Sequence, residues 1–172
     1  MKLISKAARR AAIASIALTA LPTTLLASDA MGQKCKAVHA EIVAVQFAEN
    51  CRSPVGLCTA GTIEGNLGLN GMTQFIGDSI SADLATAPDA PSTVAFSGLV
   101  RITTAKDGTL TLRDTGVFNT ATGTSTGGFF ASFDRIESGT GRYAGATGSI
   151  FISGKTVKGR LVAQITGELC LR

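Results

Sequence analysis

The sequence predicts an all-β protein, an eight-stranded antiparallel up-and-down barrel stapled by disulfides. Beyond residue 30, apolar residues alternate or cluster with Thr, Val, Ile and Phe, a pattern that is typical of strands. Gly, Asn or Asp interrupts this pattern at short intervals, as expected for tight turns. All four cysteines also lie beyond residue 30, and an even number in an exported chain favours two disulfides over metal ligation.

The first 30 residues have the three-part build of a secretory signal and are set apart from the fold. Four basic residues form its head: Lys2, Lys6, Arg9 and Arg10. The apolar stretch over residues 11–26 is too short and too interrupted for a membrane span. We expect cleavage after Ala30, with Ala27 as the alternative, and a secreted, extracytoplasmic protein. Sec export is favoured, whereas twin-arginine export and an uncleaved anchor are the alternatives.

The charge of the chain belongs largely to this signal. Four of the 16 basic residues and one of the 12 acidic residues lie within it, so residues 31–172 carry a net charge of +1. Composition therefore gives no reason to expect nucleic acid as a partner, nor stable membrane insertion after signal cleavage. Residues 31–172 suffice for a single domain.

Eight strands are predicted between the turn signals. They span residues 36–48, 55–67, 73–85, 93–105, 108–119, 127–137, 142–154 and 156–168. Asn70-Gly71 predicts a type I′ hairpin, because both central positions of that turn need positive φ. Further turns or loops are predicted at 86–92, 106–108, 123–128 and 154–155. Closure into a barrel hides both sheet edges, and a two-sheet sandwich is the alternative.

A closed barrel predicts how the cysteines pair. Cys51 and Cys58 flank the first turn and would meet at one rim. Cys35 opens the first strand and Cys170 follows the last, and these strands are neighbours in a closed up-and-down barrel. We therefore predict the disulfides Cys51–Cys58 and Cys35–Cys170. A metal site is not expected, because the chain has no CxxC pair and His39 is its only histidine.

Polar residues inside strands are the candidates for site chemistry, in an interior expected to be filled by aliphatic and small side chains. Asp114 falls in register with Leu110 on the fifth strand, and Asp78 with Ile80 on the third. A carboxylate inside a barrel must be paired, hydrogen-bonded or neutral, and a raised pKa would suit acid–base work. The alternative is that each aspartate pairs with an arginine near a rim or marks a bulge.

A second candidate set combines His39 and Glu41, which share one face of the first strand, with Tyr143. Together they could furnish a proton-transfer pair for an enol or epoxide intermediate. The alternative for His39 is a solvated or structurally bonded residue. A hydrolase is disfavoured, because the motif GxSxG is absent and one histidine would have to serve any triad.

The segment GTGRYAGATG, residues 139–148, lies between FDRIES and SIFISG. It resembles the glycine-rich strand of the allene oxide cyclase-like barrels, the superfamily that includes plant dirigent proteins. The runs GTLTLRDTGVFNT and GELCL, at 108–120 and 167–171, are similar to exported bacterial members of that group. The likeness covers the second half of residues 31–172 well and the first half weakly. GTGRYA also matches the dinucleotide pattern GxGxxA, but a β pattern follows it where a helix is needed.

The resemblance implies an eight-stranded barrel with a central apolar cavity and no cofactor. In that superfamily the enzymes cyclise an unstable hydrophobic substrate, and dirigent proteins steer radical coupling. The catalytic residues of the cyclases match no positions here, so we expect binding of a small hydrophobic molecule, with cyclising or coupling-guiding activity as an extension. The alternative is a non-catalytic extracellular structural or interaction scaffold. The volume of the cavity distinguishes ligand binding from a scaffold role, because a scaffold would have a packed interior. Homo-oligomers that associate through the outer faces of the barrel are also compatible with the sequence.

Overall fold

The described residues, 33–82, 93–119 and 127–172 of a computed structural model, form a closed antiparallel barrel of eight strands. Strands β1 to β8 span Lys34–Gln46, Cys58–Gly65, Gly71–Ala82, Thr93–Thr104, Thr109–Asn119, Gly128–Gly139, Thr147–Val157 and Arg160–Leu171. Each strand pairs with its sequence neighbours, and β1 pairs with β8, so the sheet closes on itself. The predicted all-β up-and-down barrel is confirmed. The predicted signal at residues 1–30, the loop at 86–92 and most of the loop at 123–128 lie outside the described residues.

Both predicted disulfides are present, one at each end of the barrel. Cys35 and Cys170 are register partners in β1 and β8 and form the first bridge. Cys51, in the connection after β1, is bonded to Cys58 at the start of β2. Two disulfides are typical of proteins in an oxidising, extracytoplasmic environment.

The barrel has an open end and a closed end. We call the end where β1 finishes and β2 begins the mouth. At the opposite end, a 3-10 turn over Gly141–Tyr143 lies between β6 and β7. Tyr143 is fully buried there together with Leu69 and Leu169, and its hydroxyl donates a hydrogen bond to the Leu67 carbonyl oxygen at 3.2 Å. Packed side chains therefore close this end.

The interior is filled only toward the closed end, so the expectation of a filled interior is wrong for the half near the mouth. Inward positions alternate with outward ones, as a strand requires. Several inward positions carry residues too small to reach the barrel axis: Ala40, Ala44, Gly98, Gly116 and Ala163. Three of the phenylalanines, Phe129, Phe133 and Phe151, lie exposed on the outer face and contribute nothing to the interior.

The last hairpin turns at Lys158-Gly159 and not at the predicted Gly154-Lys155. Lys158 and Gly159 have φ values of 51° and 77°, as the centre of a type I′ turn requires. Gly154 lies inside β7 opposite Ala163, where a Cβ atom would come within 2.2 Å of the Val162 carbonyl oxygen. This glycine therefore marks close packing between strands.

The hairpin between β2 and β3 forms where it was predicted, but Asn70-Gly71 is not its centre. The left-handed residues are Leu67 and Gly68, with φ values of 56° and 83°, and Gly71 already belongs to β3. Asn70 acts through its side chain, whose Oδ1 accepts a hydrogen bond from the Gly65 backbone nitrogen at 3.2 Å. The predicted turn centre is therefore wrong by three residues: Leu67-Gly68 takes the place of Asn70-Gly71.

The glycine-rich segment at 139–148 forms no dinucleotide-binding turn. After the 3-10 turn the chain enters β7 at Thr147, whereas phosphate binding by GxGxxA needs a helix that begins at this point. Gly141 and Gly145 have φ values of 59° and 70°, a conformation that glycine adopts without strain. Their role here is to bend the chain over the closed end.

Candidate functional site

A cavity of about 1080 Å³ enters the barrel from the mouth. Most of its lining is apolar and includes Ile42, Phe75, Phe96, Phe118, Phe130 and Ile152. The rings of Phe75 and Phe96 meet edge to face, with centroids 5.8 Å apart. A concave apolar space of roughly this size is typical of sites for small organic molecules.

Asp114 is the acidic residue among the described residues of the cavity lining. It lies five residues before Asn119, where β5 ends at the mouth. At about 3.3 Å per residue and a strand tilt of about 40°, this places Asp114 about 13 Å below the mouth. The carboxyl group therefore lies at the base of an apolar space. Its register on the fifth strand predicted the inward orientation, and the cavity above it was not predicted from the strand pattern.

Asp114 faces a second buried carboxyl group. Asp134 of β6 is its register partner across the β5–β6 pair, and both point inward, with 5 % and 0 % of their surfaces exposed. Ser132, also inward on β6, donates a hydrogen bond from its hydroxyl to Asp134 Oδ2 at 3.1 Å. Among the residues that the structure describes, Asp114 Oδ1 and Asp134 Oδ1 find no hydrogen-bond partner. We call Asp114 and Asp134 the carboxyl dyad.

Burial changes the protonation of the dyad. Loss of contact with water raises the pKa of Asp114 to about 6, and the Ser132 hydroxyl offsets part of that rise. For Asp134, burial and then the charge of Asp114 raise the pKa to about 8. Because the two groups titrate as a coupled pair, the dyad holds about one proton near neutral pH. It is thus able to donate and to accept a proton at the base of the cavity.

The prediction that Asp78 shares the inner face with Ile80 is wrong. A β-bulge between Gly77 and Ser79 shifts the register of β3, so Ile80 lines the cavity while Asp78 is exposed. Asp78 forms an ion pair with Arg113 of β5. A hydrogen bond from Ser97, together with this pairing, lowers the pKa of Asp78. The alternative given for Asp78 in the sequence analysis, an arginine partner or a bulge, is therefore the correct one.

The structure does not bring His39, Glu41 and Tyr143 together. His39 and Glu41 are exposed on the outer face of β1, because the inward positions of that strand are the intervening residues such as Ala40. Glu41 accepts a hydrogen bond from the Gln164 side chain at 2.6 Å. Tyr143 is buried at the closed end, where burial raises its pKa. None of the three lines the cavity.

Sequence reasoning missed Asp134 and Ser132. The most hydrophobic residues of the segment, Phe129 and Phe133, are 54 % and 45 % exposed on the outer face. The inner face is instead carried by the alternate residues, including Ser132 and Asp134. The available signal was strand alternation: counting back from Ile136 in steps of two reaches Asp134 and Ser132. That count turns Phe133 outward, which conflicts with the rule that aromatic side chains face the core.

Comparisons with protein-family models, with curated proteins and with solved structures gave no match to this chain. Within residues 33–82, 93–119 and 127–172, no group of three or more His, Cys, Asp or Glu side chains is placed to hold a metal ion. No helix in the described part of the chain is long and apolar enough to cross a membrane.

Proposed function

We propose that this protein is a secreted barrel that binds a small hydrophobic molecule in its cavity. The observation that carries the proposal is the open, mostly apolar cavity of about 1080 Å³ with Asp114 at its base. Removing apolar ligand surface from water favours association, and a polar group at the base would orient the ligand. The signal predicted at residues 1–30 and the two disulfides support secretion.

A purely structural role is the weaker hypothesis. An extracellular scaffold gains stability from a filled interior, because unfilled space in a core costs packing free energy. The barrel instead keeps a cavity of about 1080 Å³ open and buries the carboxyl groups of Asp114 and Asp134 at its base. Both features lower stability, and a ligand site accounts for both.

The same site supports an activity on the bound molecule. We propose, from the GTGRYAGATG segment and the eight-stranded barrel, that the protein belongs with the allene oxide cyclase-like barrels. In such a role the cavity would hold a reactive ligand in one shape, and the dyad would give or take the proton that a cyclisation or coupling step requires. Binding is the primary proposal, and catalysis is its extension.

Ile152→Trp tests the binding proposal. Ile152 lines the cavity and is the register partner of Ser132 on the adjacent strand. We expect the exported protein to bind the apolar dye Nile red, and the added indole volume to weaken binding about tenfold. The matched control is Val162→Trp, which adds the same side chain on the outer face of β8 and should leave affinity unchanged. Fluorescence titration measures both, after circular dichroism has confirmed that each variant is folded.

Equal dye affinity for the two tryptophan variants would contradict a ligand site inside the barrel. Mass spectrometry of organic extracts from the purified protein supplies an independent readout. We expect a retained apolar compound in extracts of the original protein and a loss of most of it from the Ile152→Trp variant.

A further inference from the structure

The carboxyl dyad is short of hydrogen-bond donors when both groups are ionised. One shared proton can join the two side chains, and its loss leaves their facing oxygens without a donor. Asp114 Oδ1 and Asp134 Oδ1 are buried without a partner, and the Ser132 hydroxyl has one proton, which it donates to Asp134 Oδ2. Buried acceptors are almost always satisfied in folded proteins, so two unmet oxygens side by side need an explanation. Asp114 lines the cavity, and Asp134 lies behind the lining as its register partner. A ligand that reaches Asp114 is therefore the natural source of the missing donors.

The charge of the dyad is also uncompensated. Its inner-face neighbours on β4 to β7 are uncharged: Gly98, Leu112, Ser132, Ile136 and Ile150. The buried inward residues of β1, β2, β3 and β8 add Ile42, Ile63, Thr73 and Ile165. The one cationic residue in the described lining is Lys158, in the β7–β8 turn at the mouth. The base of the cavity therefore offers negative charge and acceptors, and the space above it is apolar.

We propose that the ligand is an apolar primary amine whose ammonium group binds the carboxyl dyad from the cavity side, at Asp114. An ammonium group has three N–H donors, enough for both oxygens, and its charge favours the ionised dyad. A hydroxyl has one donor and a carbonyl has none, so each leaves an oxygen unmet. This inference rests on the proposed function, because only an apolar body in the cavity brings the amine to the dyad.

The depth of the site sets the shape of this ligand. The dyad lies about 13 Å below the mouth, so the amine is at one end of an elongated body. Phe96, Phe118 and Phe130 lie along that path and offer ring faces and edges for apolar contact. A linear alkylamine of intermediate length is the simplest probe with these features.

The test compares decylamine, decanol and decanoate, which share one chain and differ in the head group. Competition against Nile red at pH 8 measures the affinity of the exported protein for each. We expect decylamine to bind at least tenfold more tightly than decanol, and decanoate to bind most weakly because its carboxylate meets the dyad. At pH 5 both aspartates are protonated, and the preference for the amine should disappear.

The paired variant Asp114→Asn with Asp134→Asn should bind decylamine no better than decanol. Circular dichroism checks that this variant is folded, and the comparison is between the two probes in the one variant. Asp78→Asn is the matched control, since Asp78 is an exposed aspartate on the outer face, and it should keep the full preference.

The outcomes separate this inference from the proposed function. Equal affinities for decylamine and decanol, or a preference that survives in the paired variant, would overturn the amine inference and leave a hydrophobic site in place. If none of the three probes displaced Nile red, and the dye bound equally to Ile152→Trp and Val162→Trp, the proposed function itself would fail.

Discussion

Replacing Cys35 and Cys170 together with serine is expected to lower the free energy of unfolding by about 5 kcal/mol at 25 °C. The disulfide joins residues 135 positions apart, and the entropy that a cross-link removes from the unfolded chain grows with loop length. It also joins β1 to β8, the pair of strands whose hydrogen bonds close the barrel. A loss of this size is a large part of the stability of a typical domain.

The matched control is the replacement of Cys51 and Cys58 with serine. That disulfide spans 7 positions, so the same reasoning gives a loss of about 2 kcal/mol. Urea unfolding followed by circular dichroism measures both variants against the original protein. A larger loss of unfolding free energy in the Cys51/Cys58 variant than in the Cys35/Cys170 variant would contradict the role given to the β1–β8 closure.

Raising the pH from 4 to 9 is expected to destabilise the barrel by several kcal/mol when no ligand is bound. The pKa values of Asp114 and Asp134, about 6 and about 8 in the fold, lie above about 3.9 in the unfolded chain. The folded state therefore binds more protons than the unfolded state when the pH lies between the pKa of the unfolded chain and those of the fold. The stabilisation is fully present below about pH 4 and is lost as the pH rises through 6 and then 8.

Urea unfolding at intervals from pH 4 to pH 9 measures this loss. The paired variant Asp114→Asn with Asp134→Asn keeps the shape of the side chains and removes both titrations, so its stability should fall much less over the same range. Asp78→Asn serves as the control, because the pKa of Asp78 is lowered and not raised. Parallel curves for the original protein and the paired variant would show that the dyad does not titrate as described.

The strand count, the closure of the barrel and both disulfide pairings could be predicted from the sequence because each depends on simple periodicity or connectivity. Alternation marks strands, turn residues separate them, and eight strands joined in sequence by hairpins leave few topologies. The residue positions of turns were harder to predict. Lys158-Gly159 forms a type I′ turn, although its composition is a weaker signal than that of Asn70-Gly71.

The candidate site was only partly predictable. Asp114 was found because its strand alternates without interruption from Leu110 onward. Asp78 was placed on the wrong face because a single bulge between Gly77 and Ser79 shifts the register. Gly77 is a local signal for a bulge, but a glycine inside a strand does not by itself establish one. Asp134 was missed because Phe133 beside it suggests the opposite orientation. Finding the dyad requires knowing which residues of β5 and β6 lie opposite each other, and one strand alone does not give that register.

The most direct test of a ligand site inside the barrel is an NMR measurement of methyl contacts to bound decanol. The methyl groups of Ile42, Val100 and Ile152 line the cavity, whereas those of Val45, Val117 and Val162 are exposed. We predict intermolecular nuclear Overhauser effects from decanol to the first three residues. Contacts confined to the second three would place the alcohol on the outer surface and contradict the account.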